Sequence, residues 1–281
     1  MRLAYLILAA AFVASFAGSL HPAFDALATF RVPLSAVMII AWVCNRRALA
    51  TLPMAIIAMM GLAWNHALWQ AGVDRESNVT LFQHNVRATN TALEELTAAI
   101  KTTDPDIITL QEISLVNVGL LTRLQGDYPH QHVCSFGQLY SMAVLSRLPQ
   151  TESLPICSAK RGLAAMEVMG PDGPGWVASV HLVWPWPYPQ RPQSDGIARQ
   201  IAALEGPVIV AGDFNQLPWS HAVRSITEAA GAQYLGPRRR TFQLLGLPLP
   251  LDHVLAASGE VTRLGRIGSD HRALVAQVSF K

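Results

Sequence analysis

The sequence is poor in charged residues, and the few that it has are unevenly distributed. Asp, Glu, Lys and Arg make up 14% of the 281 residues, against 51% hydrophobic residues. Residues 1–72 hold one of the 19 acidic residues and four of the 21 basic residues, so the rest of the chain holds 18 acidic and 17 basic residues. The chain from residue 73 onward therefore has a net charge of −1. Such a domain lacks the broad basic surface that tight, sequence-independent nucleic-acid binding requires.

The sequence also lacks internal repeats and low-complexity tracts, and it has only three cysteines. Cys44 lies in or beside an apolar run. Cys134 and Cys157 both lie in the more polar part of the chain, where an exported location would permit a disulfide. Because spacing alone does not show whether two Cα atoms are close enough to be bridged, we interpret them as separate buried thiols. The one concentrated basic patch, Arg238–Arg240, is interpreted as a solvated loop rather than a phosphate clamp.

Long apolar runs dominate the first 72 residues. They predict three transmembrane helices at about residues 3–20, 27–44 and 52–71, because an uncharged run of about 18 residues or more can cross a bilayer. Trp64 and Trp69 lie near the far end of the third run, where interface aromatics are common. Almost no polar face exists in any of these runs, which argues against buried helices of a soluble protein. Residues 1–72 are therefore predicted to form a membrane region.

The basic residues of this region predict its orientation. Arg2 precedes the first run, and Arg46 and Arg47 lie between the second and the third, so both sites are predicted to be cytoplasmic. Arg31 would then lie outside, which weakens the bias slightly. Residues 15–17 also resemble a signal cleavage site, and cleavage there would still leave residues 73–281 outside. We therefore predict an integral protein of the inner or plasma membrane with an extracytoplasmic domain.

Short polar clusters follow predicted strands throughout the remaining two hundred residues. Four buried strands are predicted at Val79–Phe82, Ile107–Leu110, Trp176–Val180 and Val208–Ala211. The clusters are Gln83-His84-Asn85, Gln111-Glu112, His181, Gly212-Asp213-Phe214-Asn215, Asp252-His253 and Gly268-Ser269-Asp270-His271. Because strand ends of one sheet bring distant residues together, these side chains are expected to converge on a metal-assisted phosphoester hydrolysis site.

This pattern resembles the endonuclease/exonuclease/phosphatase superfamily. The group includes DNase I-like nucleases, abasic-site endonucleases, inositol polyphosphate phosphatases and neutral sphingomyelinases. The most specific motifs are Asp213-Phe214-Asn215 after an apolar strand and Gly-Ser-Asp-His-Arg at 268–272, with Asn85 and Glu112 in the family's order. The alternation of strands and helices predicts one α/β domain with two packed sheets. For residues 73–281 the resemblance implies a DNase I-like four-layer α-β-β-α sandwich.

The resemblance also implies a divalent cation. Glu112 is expected to be the principal ligand, supported by Asn85 and Asp270. Mg²⁺, with Mn²⁺ as an alternative, suits carboxylate oxygen because hard cations prefer such ligands and keep several waters. Without the other motifs, Glu112 alone would be interpreted as a residue that ends a strand.

The catalytic residues are assigned through the same resemblance. Asp213 and Asn215 are expected to orient the attacking water and contact the scissile phosphate, although Gly-Asp-x-Asn is also turn chemistry. His271 is expected to contact phosphate or help to activate water, and Asp252 to fix its tautomer. His181 takes the place of a general acid at the leaving group. The adjacent histidines, His84 and His253, are expected to be structural.

Residues beside these motifs suggest how substrate is held. Arg147 and Arg161 are candidates for phosphate contact, with a surface ion pair as the alternative for each. The stretch after His181 alternates aromatic residues with proline, and its Trp184 and Trp186 are candidates for substrate or membrane contact. A second apolar stretch, Leu244–Leu251, leads directly into Asp252. Both stretches suit a substrate in or near a membrane, or packing against the domain itself.

The sequence therefore predicts a membrane-anchored, metal-dependent phosphoesterase that acts by in-line attack of an activated water. A lipid or membrane-proximal phosphodiester or phosphomonoester is favoured slightly as substrate. One alternative is a DNase I-like nuclease outside the cytoplasm, which the charge of the domain does not favour. The other is a membrane-tethered binding domain without activity. The sequence does not predict an oligomeric state.

Overall fold

The computed structural model describes residues 2–44, 78–136, 140–158 and 162–280. The third predicted membrane run and Arg161 lie outside these residues. The helices of the described part are α1 (Arg2–Ala14), α2 (Pro22–Leu27), α3 (Arg31–Cys44), α4 (Leu93–Thr103), α5 (Gly119–Leu124), α6 (Gln190–Ile201) and α7 (His221–Ala229), with a 3₁₀ turn at Ala28–Phe30. The strands are β1 (Val79–Asn85), β2 (Ile107–Ile113), β3 (His130–Ser135), β4 (Ser141–Ser146), β5 (Ile156–Cys157), β6 (Leu163–Gly170), β7 (Gly173–His181), β8 (Val208–Asp213), β9 (Gln233–Tyr234), β10 (Phe242–Leu244), β11 (Leu247–Leu249), β12 (Asp252–Ala256), β13 (Ser258–Arg263) and β14 (Leu274–Ser279).

Two six-stranded sheets form the centre of the domain. The first sheet has the strand order β13-β14-β1-β2-β4-β3, and the second has the order β5-β6-β7-β8-β12-β9. The remaining two described strands, β10 and β11, form a separate hairpin. Parallel pairing joins β1 to β2 in the first sheet and β7 to β8 in the second. In each parallel pair the two strands therefore finish at the same end of the sheet, so the residues after them lie close together.

Three buried clusters show how the layers pack. One lies between the sheets and combines residues such as Leu81 and Ile107 of the first sheet with Val177 and Ile209 of the second. Another covers the outer face of the first sheet with α4 and α5, and a third covers the second sheet with α6 and α7. The predicted α-β-β-α sandwich is confirmed. The central strands are buried on both faces, which explains their nearly continuous apolar sequences.

The N-terminal region differs from the prediction of three membrane helices. Within the described residues, one helical stretch, Pro22–Ala41, is long and apolar enough to cross a membrane, which by itself is weak evidence for a span. The first predicted span contains only α1, whose 13 residues rise about 20 Å, less than a hydrocarbon core of about 30 Å. Turns follow at once, and Ser15 Oγ donates back to the Phe12 carbonyl. The α1 helix packs against α3 through Phe12 and Met38.

The segment between α1 and α3 lies against the second sheet's helical layer. Trp219 Nε1 donates to the Ala28 carbonyl at 2.8 Å, and Arg191 donates to the carbonyls of Gly18 and Ser19. Asp25 is buried at this contact, with 5% of its surface exposed. The segment between α1 and α3 therefore packs directly against the catalytic domain.

Cys134 and Cys157 form a disulfide, with 5.6 Å between their Cα atoms. The interpretation as two separate thiols is therefore wrong. The bond joins β3 to β5, the two edge strands on one side of the sandwich. Sequence could not show this, because the two strands belong to different sheets and their separation depends on how the sheets pack.

Candidate active site

A bulge in β2 directs Glu112 into the site. The pairing of β2 with β4 shifts register between Leu110 and Ile113, and Glu112 adopts a positive φ of 60°. Such a conformation is uncommon for a residue with a side chain and is typical of bulges and functional sites. The Glu112 side chain remains 27% exposed, and its Oε2 accepts from the Ala88 backbone N–H at 3.1 Å. The bulge thus turns a carboxylate out of the strand and toward solvent.

Asn85, at the end of β1, connects the two sheets. Its Nδ2 donates to Glu112 Oε1 at 2.9 Å and to Asp213 Oδ2 at 3.0 Å. Its Oδ1 accepts from the Arg87 backbone N–H, which fixes the orientation of the amide. In this arrangement Asn85 supports the metal site by holding two carboxylates together, and its own oxygen is already engaged.

Asp213 and Asn215 form a compact turn after β8. Asn215 N donates to Asp213 Oδ1 at 2.9 Å, and Asn215 Nδ2 donates to the Leu182 carbonyl at 2.8 Å. Asn215 has a φ of 49°, a left-handed conformation that Asn tolerates better than most residues. Gly212 comes directly before Asp213, and a Cβ there would overlap the carbonyl oxygen of Val180. The close pairing of β7 with β8 therefore places Asp213 beside His181, its partner in register.

His271 lies between two buried carboxylates. Its Nδ1 is 2.8 Å from Asp252 Oδ2, and its Nε2 is 3.6 Å from Asp213 Oδ2. Burial alone would lower the pKa of His271, but the charges of Asp252 and Asp213 outweigh it and raise the pKa to about 10. Burial would likewise raise the pKa of Asp252, and the charge of His271 holds it below its usual value. His271 is therefore an imidazolium near neutral pH.

The pKa of Asp213 is raised, whereas that of Asp252 is lowered. Burial raises the pKa of Asp213, and the charges of His271 and His181 only partly offset that effect. Four side-chain nitrogens approach its Oδ2 within 3.6 Å: Asn85 Nδ2, Asn215 Nδ2, His181 Nε2 and His271 Nε2. An oxygen in this setting is well placed to accept a proton from a water.

His181 completes the cluster from the end of β7. Its Nε2 lies 3.6 Å from Asp213 Oδ2 and 3.9 Å from Glu112 Oε1. Its ring packs near that of Tyr140, with 5.3 Å between centroids. The imidazole of His181 is thus held between a carboxylate of each sheet.

The donor chemistry of the site fits a hard divalent cation. Glu112 offers a partly exposed carboxylate beside Asp213, and an oxygen-ligated Mg²⁺ needs only one or two protein carboxylates. Asp213, Asp252 and His271 also bring one ligand atom each within 4.8 Å of one another. In that group, however, the protonated His271 already pairs with both carboxylates. Glu112 is therefore the residue best suited to hold the metal.

Asp270 sits beside the site in a less defined position. Its carboxylate is 3.5 Å from Ser269 Oγ, and that hydroxyl donates to the Asn85 carbonyl at 2.7 Å. Ser269 Oγ also accepts from the His271 N–H at 3.0 Å. Ser269 thus ties the C-terminal motif to the end of β1, and metal binding by Asp270 stays a prediction.

A buried polar network behind the site was not predicted from sequence. Gln83 donates to Asp252 Oδ1 at 3.1 Å and to Gln111, and Gln111 in turn donates to Ser179 Oγ. Thr241 Oγ1 accepts from the Asp252 backbone N–H. The one sequence signal was that Gln83 and Gln111 are polar residues inside otherwise apolar strands, since buried amides need partners.

Phe242 was missed as well. Its ring lies 4.7 Å from that of His271 and 5.9 Å from that of Trp184. Trp184 and Trp186 are 38% and 53% exposed, and both line a cavity of about 380 Å³ that reaches Asn215. The two predicted tryptophans are therefore beside the site, at its apolar rim.

The two histidines that were predicted to be structural, His84 and His253, are both buried. His84 is fully buried in the first sheet. The Nε2 atom of His253 is 2.8 Å from the Gln216 carbonyl oxygen, and its ring packs between Phe214 and Tyr234. A structural role for both stays a prediction.

The structure does not place Arg147 at the site. It follows β4, which runs antiparallel to β2, so it emerges at the end of the sheet opposite Glu112. There it forms an ion pair with Asp104 at 2.5 Å and contacts the Tyr128 hydroxyl. The prediction of a phosphate contact is wrong for Arg147, because it overlooked the direction of the strand.

Several solved structures are similar to this chain. Sphingomyelinase C from Streptomyces griseocarneus has a TM-score of 0.56 at 16% identity, covering 73% of this chain and 100% of that one. A D. rerio TDP2 complexed with single-strand DNA product has a TM-score of 0.55 at 18% identity, covering 72% and 98%. C. elegans TDP2 has a TM-score of 0.56 at 19% identity, covering 82% and 80%. At these identities the likeness concerns the fold.

The sequence comparisons are more specific about family. No curated protein matches the chain. The pattern of the Endonuclease/Exonuclease/phosphatase family matches residues 81–271, which extend from β1 to His271 and include Asn85, Glu112 and Asp213. The match covers more than half of the chain and all of the converging side chains, so this protein is a phosphoester-hydrolysing enzyme of the Endonuclease/Exonuclease/phosphatase family.

Proposed function

We propose that this protein is a membrane-anchored, Mg²⁺-dependent phosphoesterase that hydrolyses its substrate outside the cytoplasm by in-line attack of a water. The observation that carries the proposal is the position of Asp213 Oδ2, approached by Asn85, His181 and His271. An acceptor oxygen and two imidazoles at one point are the groups that water activation and leaving-group protonation require.

Each side chain has a defined part in this mechanism. Asp213 accepts the proton of the attacking water, and Asn215 keeps its carboxylate oriented through the bond at 2.9 Å. The imidazolium of His271 donates to a phosphate oxygen, and Asp252 holds its ring and its charge. His181 donates a proton to the leaving oxygen. A divalent cation held by Glu112, with Asp270 as a further ligand, would supply charge neutralisation at the phosphate.

The disulfide and the basic residues support an extracytoplasmic domain. Disulfides persist mainly in oxidising compartments, and Cys134–Cys157 lies within the catalytic domain. The apolar stretch Pro22–Ala41 supports membrane anchoring. Arg2, Arg46 and Arg47 give the cytoplasmic bias described above.

A lipid phosphodiester or lipid-linked phosphate is the substrate class that we favour. Exposed apolar side chains line the cavity beside the site, among them Trp184, Trp186, Tyr188 and Leu244. A sphingomyelinase C is among the solved structures that resemble this chain. Nuclease activity is the second candidate, because exposed tryptophans can also stack on bases and one neighbour was solved with a DNA product. The domain's net charge of −1 favours the lipid. A complete set of catalytic groups argues against a silent binding domain.

A substrate panel tests the proposal. The full-length chain in lipid nanodiscs is assayed on phospholipids, sugar phosphates and DNA, with Mg²⁺ and with EDTA. Replacing Trp184 and Trp186 with Ser is expected to reduce lipid hydrolysis selectively over that of a small soluble phosphodiester. Activity that EDTA does not affect would contradict the metal, and DNA cleavage without lipid hydrolysis would favour the nuclease.

A further inference from the structure

The segment between α1 and α3 supplies an N-terminal cap to a helix of the catalytic domain. Asp25 Oδ1 accepts from the backbone N–H of His221 at 2.6 Å, and its Oδ2 accepts from that of Ala222 at 3.1 Å. These are the first two residues of α7, and Ser220 caps the third free N–H, that of Val223. A carboxylate at a helix N-terminus is favourable both as a hydrogen-bond acceptor and as a charge.

The same segment holds the loop that carries Asn215. Gln216, the next residue, donates to the Asp25 carbonyl at 3.3 Å, and its Oε1 accepts from Thr29 Oγ1 at 3.1 Å. Gln216 is 1% exposed, so these contacts are internal to the fold. The segment therefore contacts the domain directly beside the catalytic turn.

One wall of the cavity beside Asn215 is formed by this segment. Ala26, Thr29 and Phe30 line it, opposite the aromatic loop 184–188 and the leucines Leu244, Leu249 and Leu251. None of the described residues that line the cavity is charged, and the catalytic-turn residue Asn215 is one of them. At about 380 Å³ the cavity has the size of a small ligand site.

We propose that this cavity is a subsite for an aliphatic chain attached to the scissile phosphate, and that the N-terminal segment determines the specificity of the enzyme by forming its wall. An uncharged, apolar cavity does not suit a polyanion, which requires cationic contacts. The helical stretch that lines the cavity continues into α3, whose exposed apolar side chains include Val37 and Ile40, so the subsite lies beside the part of the chain that would contact a bilayer. The ligand is therefore the part of a membrane lipid next to its headgroup. This inference rests on the phosphoesterase activity proposed above.

Two chromogenic substrates with the same reacting group test the subsite. They are methyl and octyl p-nitrophenyl phosphodiesters, which share a leaving group and differ only in the alkyl chain. The full-length protein in nanodiscs with Mg²⁺ is expected to hydrolyse the octyl ester with a kcat/KM at least about tenfold higher, since each well-bound methylene contributes measurably.

Substitutions in the wall should remove that preference. Ala26→Trp fills the cavity from α2 and is expected to lower kcat/KM for the octyl ester about tenfold or more, with little change for the methyl ester. Ala23→Trp, on the same helix but outside the cavity lining, is the matched control and should leave both rates unchanged. Phe30→Asp serves as the second variant, because Phe30 is 49% exposed and its replacement spares the core.

The outcomes separate the subsite from the activity. Equal losses on both esters in Ala26→Trp and Phe30→Asp, or a wild-type enzyme without chain preference, would overturn the subsite and leave the phosphoesterase intact. Hydrolysis of neither ester by the wild-type protein would overturn the proposed function, and the subsite with it.

Discussion

His271 Nδ1 lies 2.8 Å from Asp252 Oδ2, and both side chains are buried. The pair joins the C-terminal motif to β12 across the site. Because Asp252 contributes to the raised pKa of His271, the aspartate controls whether the imidazole is charged as well as where it points.

Asp252→Asn should therefore alter the pH profile. In the wild-type protein the pKa of His271 is raised to about 10, so the imidazolium persists through neutral pH and is lost above that value. Removing the carboxylate charge lowers this pKa, and the alkaline limb of kcat/KM is expected to move to lower pH. The rate at neutral pH should fall by roughly tenfold or more, because the ring also loses its orienting partner. An unshifted alkaline limb would show that His271 does not act as an imidazolium.

Glu112→Gln should weaken metal binding without unfolding the protein. The amide keeps the shape of the side chain and removes the charge that attracts the cation. Activity is expected to fall by roughly a hundredfold or more, and higher Mg²⁺ should restore part of it. Mg²⁺ titrations of activity and thermal unfolding measure the two effects. Glu152→Gln, at an exposed position, is the control and should behave as the wild type.

Asp213→Asn should abolish most turnover. An amide oxygen is a poor proton acceptor, so the attacking water loses its base. We expect a larger loss than for Asp252→Asn, which acts through His271. His271→Ala should resemble Asp213→Asn. Single-turnover rates at saturating Mg²⁺ provide the measurement, and near-full activity of Asp213→Asn would rule out the assigned base.

A reporter fused after Lys281 should be active only on the extracytoplasmic side. The basic residues at Arg2, Arg46 and Arg47 predict this orientation. Paired fusions to a periplasmic phosphatase and to a cytoplasmic fluorescent protein provide the comparison. Fluorescence from the cytoplasmic reporter with no phosphatase activity would contradict both the predicted topology and the predicted extracytoplasmic location.

Acid should destabilise the metal-free protein through His253. Burial lowers its pKa to about 4, whereas the unfolded chain has the ordinary value of 6.5. The unfolded state therefore binds more protons between these values, and the free energy of unfolding falls as the pH drops from 6.5 to 4, by roughly 3 kcal/mol for this group.

His253→Gln tests this contribution. The glutamine amide can still donate to the Gln216 carbonyl but does not titrate. Chemical unfolding in EDTA is expected to show a shallower dependence on pH in this variant than in the wild type. His130→Gln, at a partly exposed position in β3, is the control. An unchanged slope in His253→Gln would mean that other groups account for the acid sensitivity.

Much of the catalytic arrangement could be predicted from local sequence patterns. Strands β1 and β8 begin where the apolar runs do. The convergence of Asn85, Asp213 and His271 followed from strand ends and the family motifs.

Features that depend on packing between residues far apart in the chain could not be predicted from local sequence patterns. The bulge at Glu112 arises from the register of β2 against β4, and Arg147 was misplaced because that strand direction is not visible locally. The contact of Asp25 with α7 joins residues almost two hundred positions apart, so no local pattern contains it.

The bond between β3 and β5 has a consequence for how molecules meet one another. A β-sandwich ordinarily presents four open strand edges, each a template for pairing with another chain. Here the two edges on one flank are fastened together. On the other flank, β9 has only two residues and β13 carries Glu260 and Arg263. The disulfide thus holds these two edges against each other, which leaves them less free to pair with the strands of another molecule.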